Sequence, residues 1–197
     1  MRVAPALACL ALLTAAPLTA QAQTLPTMRG VDHVGVTVRE TKPAVDFLEK
    51  VMGCKAMASF GPFRDDKGPF MKNLLNVHPR AVINRITLVR CGNGSNIELL
   101  EYRAPDQKTA RPKNSDLAGH HIAFYVEDIK AAADHLKKNG VTTFLGPFSV
   151  TEGPAAGQTI LYFLTPWGLQ MELISYPGGM AYEKAGTGKL WSPKDQK

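Results

Sequence analysis

Two histidines and two glutamates occupy matching places in a sequence that states one pattern twice. His33 enters the run GVDHVGVTVR at residues 30–39, and His121 enters GHHIAFYVEDI at residues 119–129. Glu98 lies in NIELLEY and Glu172 in QMELISY, toward the end of each half. Two imidazoles and two carboxylates suit a borderline divalent ion such as Zn, Ni, Co, Mn or Fe(II), and ligand type alone does not choose among them. Such a set leaves positions for water or substrate, as a catalytic metal requires. A lone strand histidine is usually structural and a lone strand glutamate usually solvated. Four of them at equivalent positions of a duplication point to one site.

The elements that must position these residues follow from periodicity. Val34, Val36 and Val38 share one parity and His33, Gly35 and Thr37 the other, the period of two of a strand with one buried face. Ile122, Phe124 and Val126 repeat the apolar face, with His121, Ala123 and Tyr125 opposite. Glu98 alternates with Ile97 and Leu99, and Glu172 with Met171 and Leu173, so all four candidate ligands fall on the non-helix face. If the two sheets pair into a curved half-barrel, the four converge inside it. Helices are expected over residues 42–52 and 129–139, ended by Gly53 and Gly140. Further strands are expected at 54–60, 83–91, 95–102, 141–145, 158–165 and 168–176, with tight turns at Gly92-Asn93-Gly94 and Pro166-Trp167-Gly168. The whole is two β-α-β-β-β modules, about 30–103 and 119–176, joined by a polar linker at 104–116. Gly61-Pro62-Phe63 answers Gly146-Pro147-Phe148.

Residues 1–22 read as a secretory signal peptide: Arg2, an apolar run, then Ala20-Gln21-Ala22 as the cleavage pattern. The expected mature protein is secreted or periplasmic, with no stable membrane insertion. Lys and Arg number 23 against 17 Asp and Glu, a formal charge of +6. The charges are scattered, without an Arg-rich stripe, so nucleic acid is not an expected partner and a small molecule is. Cys54 begins one expected strand and Cys91 ends the next. Antiparallel pairing would bring them to the same end, and the oxidising compartment allows a disulfide. Two free thiols are the equal alternative.

At DHVGVTV, IELLEY, HHIAFYVEDI and MELIS the sequence resembles the vicinal oxygen chelate superfamily, which includes glyoxalase I, methylmalonyl-CoA epimerase, extradiol dioxygenases and bleomycin resistance proteins. The resemblance covers roughly residues 27–176. It implies an α+β fold, an eight-stranded U-shaped open barrel, commonly assembled as a homodimer, with one divalent metal held by His33, Glu98, His121 and Glu172. The carboxylate at Glu98 is similar to the glyoxalase and epimerase branch. That branch implies an exported metal-dependent lyase or isomerase that abstracts a proton next to a metal-chelated oxygen, with Glu172 as the catalytic base and Glu98 as the second candidate. An extradiol-type Fe(II) dioxygenase, in which Glu98 has no ligand role, and a non-enzymatic binding or resistance protein are the alternatives.

Several features depart from that pattern or lie outside it. The closing turn is TPWG, so Trp167 is expected to reshape one rim. The insertion at 63–82 reads as a surface excursion, with a short helix or lid as the other reading. The tail at 177–197 reads as loosely ordered, or else docked through Trp191 and Tyr182. Tyr125 and Gln170 share the ligands' parity, and Arg85 and Arg103 meet an anion only if their strands bring them to the pocket's mouth. His78, His120 and His135 are given no metal role.

Overall fold

The computed structural model describes residues 25–186 and 188–196. The expected signal peptide lies outside the described residues. The chain divides at Gly30, and residues from Val31 onward form one compact body.

The first sheet is built from β1 (His33–Val38), β2 (Lys55–Phe60), β3 (Val82–Arg90) and β4 (Asn96–Arg103), in the order β1-β4-β3-β2. The second is built from β5 (Ile122–Tyr125), β6 (Thr142–Thr143), β7 (Phe148–Ser149), β8 (Thr159–Leu164) and β9 (Gln170–Ser175). Its order is β5-β9-β8-β6, with β7 also on β8. The first strand of each sheet runs parallel to the last, and the remaining pairs are antiparallel. The expected strand at 141–145 is shorter, and β6 and β7 share its place along β8. This is a mixed α+β fold of two βαβββ units, with both sheets open.

Helices α1 (Thr41–Lys50) and α3 (Ile129–Lys138) pack on the apolar faces. Val36, Val38, Ile97 and Leu99 meet Ala44, Phe47 and Leu48, and Leu161, Phe163 and Met171 join the same core with Leu136. Phe47 crosses between the halves, its ring 6.5 Å from Phe163 and edge-on to Trp167 at 5.7 Å. Burying such a side chain contributes about 1.5–3 kcal/mol, so the two modules stabilise one another. After each helix the chain turns at Gly53 and Gly140, with φ of 71° and 70°, a conformation that costs other residues energy.

The two helices are capped differently. Asp128 caps α3 locally, accepting hydrogen bonds from the Lys130 and Ala131 amides. For α1 the acceptor comes from the sheet: the Thr41 amide and hydroxyl both donate to Glu101 Oε2, at 2.9 and 3.2 Å. Burial acts to raise the Glu101 carboxyl, but these bonds and one from Asn84 outweigh it and hold the group below the usual carboxylate range.

Cys54 and Cys91 form a disulfide beside the Lys55–Arg90 pair of β2 and β3. The insertion carries α2 (Phe70–Leu75), and its fully buried Met71 packs with Ile86, Leu88 and Leu100. Leu88 is the cross-strand neighbour of Glu98, and Leu100 follows it by two residues. The insertion therefore covers part of the ligand-bearing face and is not a free excursion. Nor is the tail loose. Tyr176 and Ser192 share a buried hydrogen bond of 2.7 Å, and Trp191 lies against the turn at Gly94. Residues 181–184 form the short helix α4 (Ala181–Lys184). No helix among the described residues is long and apolar enough to cross a membrane.

Candidate metal centre and active site

Parallel pairing of the first and last strands of each sheet joins each histidine to its glutamate. In the first sheet Gly35 is in register with Glu98, so His33, two residues back on the same face, reaches across β4. Its Nε2 lies 3.5 Å from Glu98 Oε2. In the second sheet Ala123 is in register with Glu172, and His121 Nε2 lies 3.0 Å from Glu172 Oε2. Both spacings fit two donors of one ion at bond lengths of about 2.0–2.2 Å.

The ring nitrogen facing away from each glutamate is also held. His33 Nδ1 bonds Asp32 at 2.7 Å, and His121 Nδ1 bonds the Asn114 amide at 3.2 Å. Such partners fix ring orientation and leave Nε2 toward the carboxylate. The Asp32 hydrogen bond is the largest influence on His33. Partial desolvation opposes it and the Glu98 charge adds to it, and together they raise the imidazole above its ordinary value.

The halves are not equivalent around their carboxylates. Glu172 is 6% exposed and sits opposite Tyr162 on β8, close enough for its charge to raise the Tyr162 phenol. The Tyr162 ring also stands edge-on to His121 at 5.2 Å. Burial and then the Glu172 charge push the Tyr162 phenol up, so it stays protonated and remains a donor at neutral pH. The place opposite Glu98 is taken by Leu88, and Tyr102 lies near enough for burial and the Glu98 charge to raise its phenol too. Glu98 is more open, with a side chain 22% exposed.

The structure thus brings the four candidate ligands together as two pairs. Among the described residues no group of three or more His, Cys, Asp or Glu side chains gathers in metal-binding geometry. The donor chemistry fits a divalent ion, and each pair supplies half of a four-donor set. Asp32, Asn114 and Tyr162 were not singled out by sequence reasoning. Tyr162 alone had a readable signal, because pairing the last two strands about the TPWG turn sets it opposite Glu172.

The other histidines hold backbone. His78 accepts from the Arg80 amide, His120 bonds the Ala118 carbonyl, and His135 bonds Val51 across the two modules. Tyr125 packs edge-on against Tyr176. A cavity of about 540 Å³ lies between β1, the linker and the TPWG turn, with Gly35 and Arg103 in its wall and none of the four candidate ligands in its lining.

A profile of the Glyoxalase/Bleomycin resistance protein/Dioxygenase superfamily matches residues 32–162, and the chain belongs to that superfamily. It is 40% identical over 171 residues to a 2-epi-5-epi-valiolone epimerase from an Actinomyces species, a match covering 86% of this chain and 92% of that protein. Among solved structures it is similar to a glyoxalase family protein from Bacillus cereus. That match has a TM-score of 0.57 and 18% identity and covers 77% of this chain and 98% of the other. Similar in fold, too, is the trypanothione-dependent glyoxalase I of Leishmania major, with a TM-score of 0.51 and 17% identity over 81% of this chain and 94% of that one. The protein is an isomerase-type enzyme of the superfamily.

Proposed function

We propose that this chain is an exported, divalent-metal-dependent epimerase that inverts a carbon next to the carbonyl of a small ketone. The observation that carries it is the duplicated His–Glu pair, with Nε2–Oε2 separations of 3.5 and 3.0 Å on the same face of two equivalent sheets. The epimerase relative supports the reaction class, and the valiolone in its name supports a small ketone as substrate. His33, Glu98, His121 and Glu172 would hold the divalent ion, which would supply Lewis acidity toward a carbonyl oxygen.

The chain's own residues move that proton. Glu172 is the base: it is buried, its carboxylate is held by His121 with Tyr162 as its cross-strand neighbour, and a desolvated, oriented base loses little to reorganisation. Glu98, from the opposite half, starts protonated and gives its proton to the other face, which inverts the carbon, after which Glu172 releases and Glu98 regains a proton by exchange with water. Asp32 and Asn114 keep both imidazoles turned toward the carboxylates.

Four donors act on one ion only when the two pairs meet. We propose that they meet across a homodimer, His33 and Glu98 of one protomer facing the same ion as the second pair from its partner. Support comes from the exposed Phe60, Phe63 and Phe148 on the outer strands and their flanking loops. Export is supported by the leader-like sequence and by the Cys54–Cys91 bond, which persists in an oxidising compartment.

The test is solvent deuterium incorporation next to the carbonyl of candidate ketones, followed by NMR, together with metal counted per chain. Glu172→Gln should keep its fold and lose exchange, and Glu98→Gln should also lower metal content. Mixing a His33→Ala/Glu98→Ala chain with a His121→Ala/Glu172→Ala chain should restore activity if the site spans two protomers. No exchange in the metal-loaded wild type would refute the epimerase reading, and no restoration would refute the shared site.

A further inference from the structure

The cavity beside β1 has a composition that the proton transfer does not explain. Arg39, Arg103, Lys108 and Arg111 line it, and Glu40 is the one carboxylate in the lining. Among the described residues no ion pair engages Arg39, Lys108 or Arg111, and Arg103 reaches Glu101 only at 4.0 Å. Gathering cations around a cavity costs free energy unless an anion offsets it.

A second observation comes from the turn. Trp167 lines the same cavity, is 8% exposed, and has its indole Nε1–H buried without a hydrogen-bond partner. A buried unmatched donor is costly, and an indole N–H can only donate. The Arg111 guanidinium lies where a side chain at position 168 would be, and Gly168, with φ of 80°, leaves that room. Three guanidinium groups, one ammonium and an indole N–H outnumber the single carboxylate of Glu40 in this lining, an excess of donors matched to a group made of acceptor oxygens.

The cavity approaches the candidate site through one residue, although none of the four candidate ligands lines it. Its wall includes Gly35, and a β-carbon there would stand 3.9 Å from Glu98 Oε2. We infer that the cavity is an oxyanion subsite continuous with the active site, and that the substrate is a small ketone bearing a phosphate group. This rests on the epimerase reading, and it adds the charged end of the substrate and the residues that hold it.

Calorimetric titration of the mature protein tests it, with inorganic phosphate, dihydroxyacetone phosphate and uncharged dihydroxyacetone as probes. Phosphate should bind, more weakly as salt rises. Arg111→Gln and Arg39→Gln should each weaken it about tenfold or more, the usual worth of a hydrogen bond to a charged group. Trp167→Phe, which keeps an aromatic ring against Phe47 and removes the indole N–H, should weaken phosphate binding by the folded protein, and unchanged binding would remove Trp167 from the subsite. The ketone phosphate should bind about tenfold more tightly than inorganic phosphate, and the uncharged ketone should not bind measurably. Absence of phosphate binding, or binding indifferent to these substitutions, would overturn the subsite. Equal binding of phosphate and ketone phosphate would overturn its link to the substrate. Glu172→Gln should retain phosphate binding while losing exchange. Arginine-dependent phosphate binding in a wild type that exchanges nothing would sink the epimerase reading and leave the anion site standing.

Discussion

Removing one oxygen atom tests the asymmetry between the two half-sites. Tyr162→Phe deletes the phenol oxygen placed to donate to Glu172 across the β8–β9 pair and keeps the ring that stands 5.2 Å from His121. A hydrogen bond to a charged group contributes about 1.5–3 kcal/mol. At about 1.4 kcal/mol per decade, turnover should fall roughly 10- to 150-fold if that bond holds the base in its reacting orientation. The assay is the rate of deuterium incorporation at saturating ketone and metal, with metal per chain and melting temperature measured on the same sample. Tyr162→Leu reproduces the leucine found opposite Glu98 and should lose at least as much, since it also removes the ring against His121. The corresponding change in the other half, Leu88→Ala, should affect packing under Met71 before turnover per folded molecule. Exchange within threefold of wild type in Tyr162→Phe, with metal content intact, would refute the assignment of Glu172 as the oriented base.

Two further predictions concern the frame. Cys54 and Cys91 are 37 residues apart, and closing a loop of that length stabilises the fold by about 3–4 kcal/mol in the chain-entropy account. The double serine variant should melt at lower temperature by a corresponding amount, and unchanged melting on reduction would show that the bond carries no such load. Glu101→Gln should cost about 0.5–2 kcal/mol at neutral pH, because it weakens the acceptor at the start of α1. The Glu101 carboxyl is held below its unfolded value of about 4.3, so its contribution is present above that pH and is lost as pH falls through the folded-state value. The gap between wild type and variant in urea melts should therefore close in acid, and a gap of constant size would refute the capping role.

How much of this was legible without coordinates depends on how far apart the interacting residues lie. Strand parity is a property of adjacent residues, and so the sequence alone put His33, Glu98, His121 and Glu172 on the face away from the helices. The Gly-Asn-Gly turn marked the hairpin of β3 and β4, but whether Cys54 meets Cys91 depended on β2 pairing with β3, which left free thiols an equal alternative until the structure showed the bond. Parity says nothing of which strand becomes a neighbour. His33 meets Glu98 only because β1 joins β4 in parallel, and Asp32 and Asn114 become partners of the two rings through chain paths that no repeat encodes.

Other outcomes were decided by packing alone. The cap of α1 comes from Glu101, 60 residues from Thr41, where a local rule looks only to the preceding few residues. The insertion looked like an excursion because its apolar residues show no long period, yet burial of Met71 against Leu88 and Leu100 fixes it over the ligand face. Likewise the Gly-rich tail has little propensity of its own, and the Tyr176–Ser192 hydrogen bond and the Trp191 contact with the Gly94 turn hold it. Sequence by itself determined the duplicated modules and the shared facing of the four candidate ligands, because both follow from local periodicity and turn chemistry. Only the tertiary structure decided which donors pair, which carboxylate is buried, and where the unpaired cations gather, because those depend on register and on residues far apart in the chain.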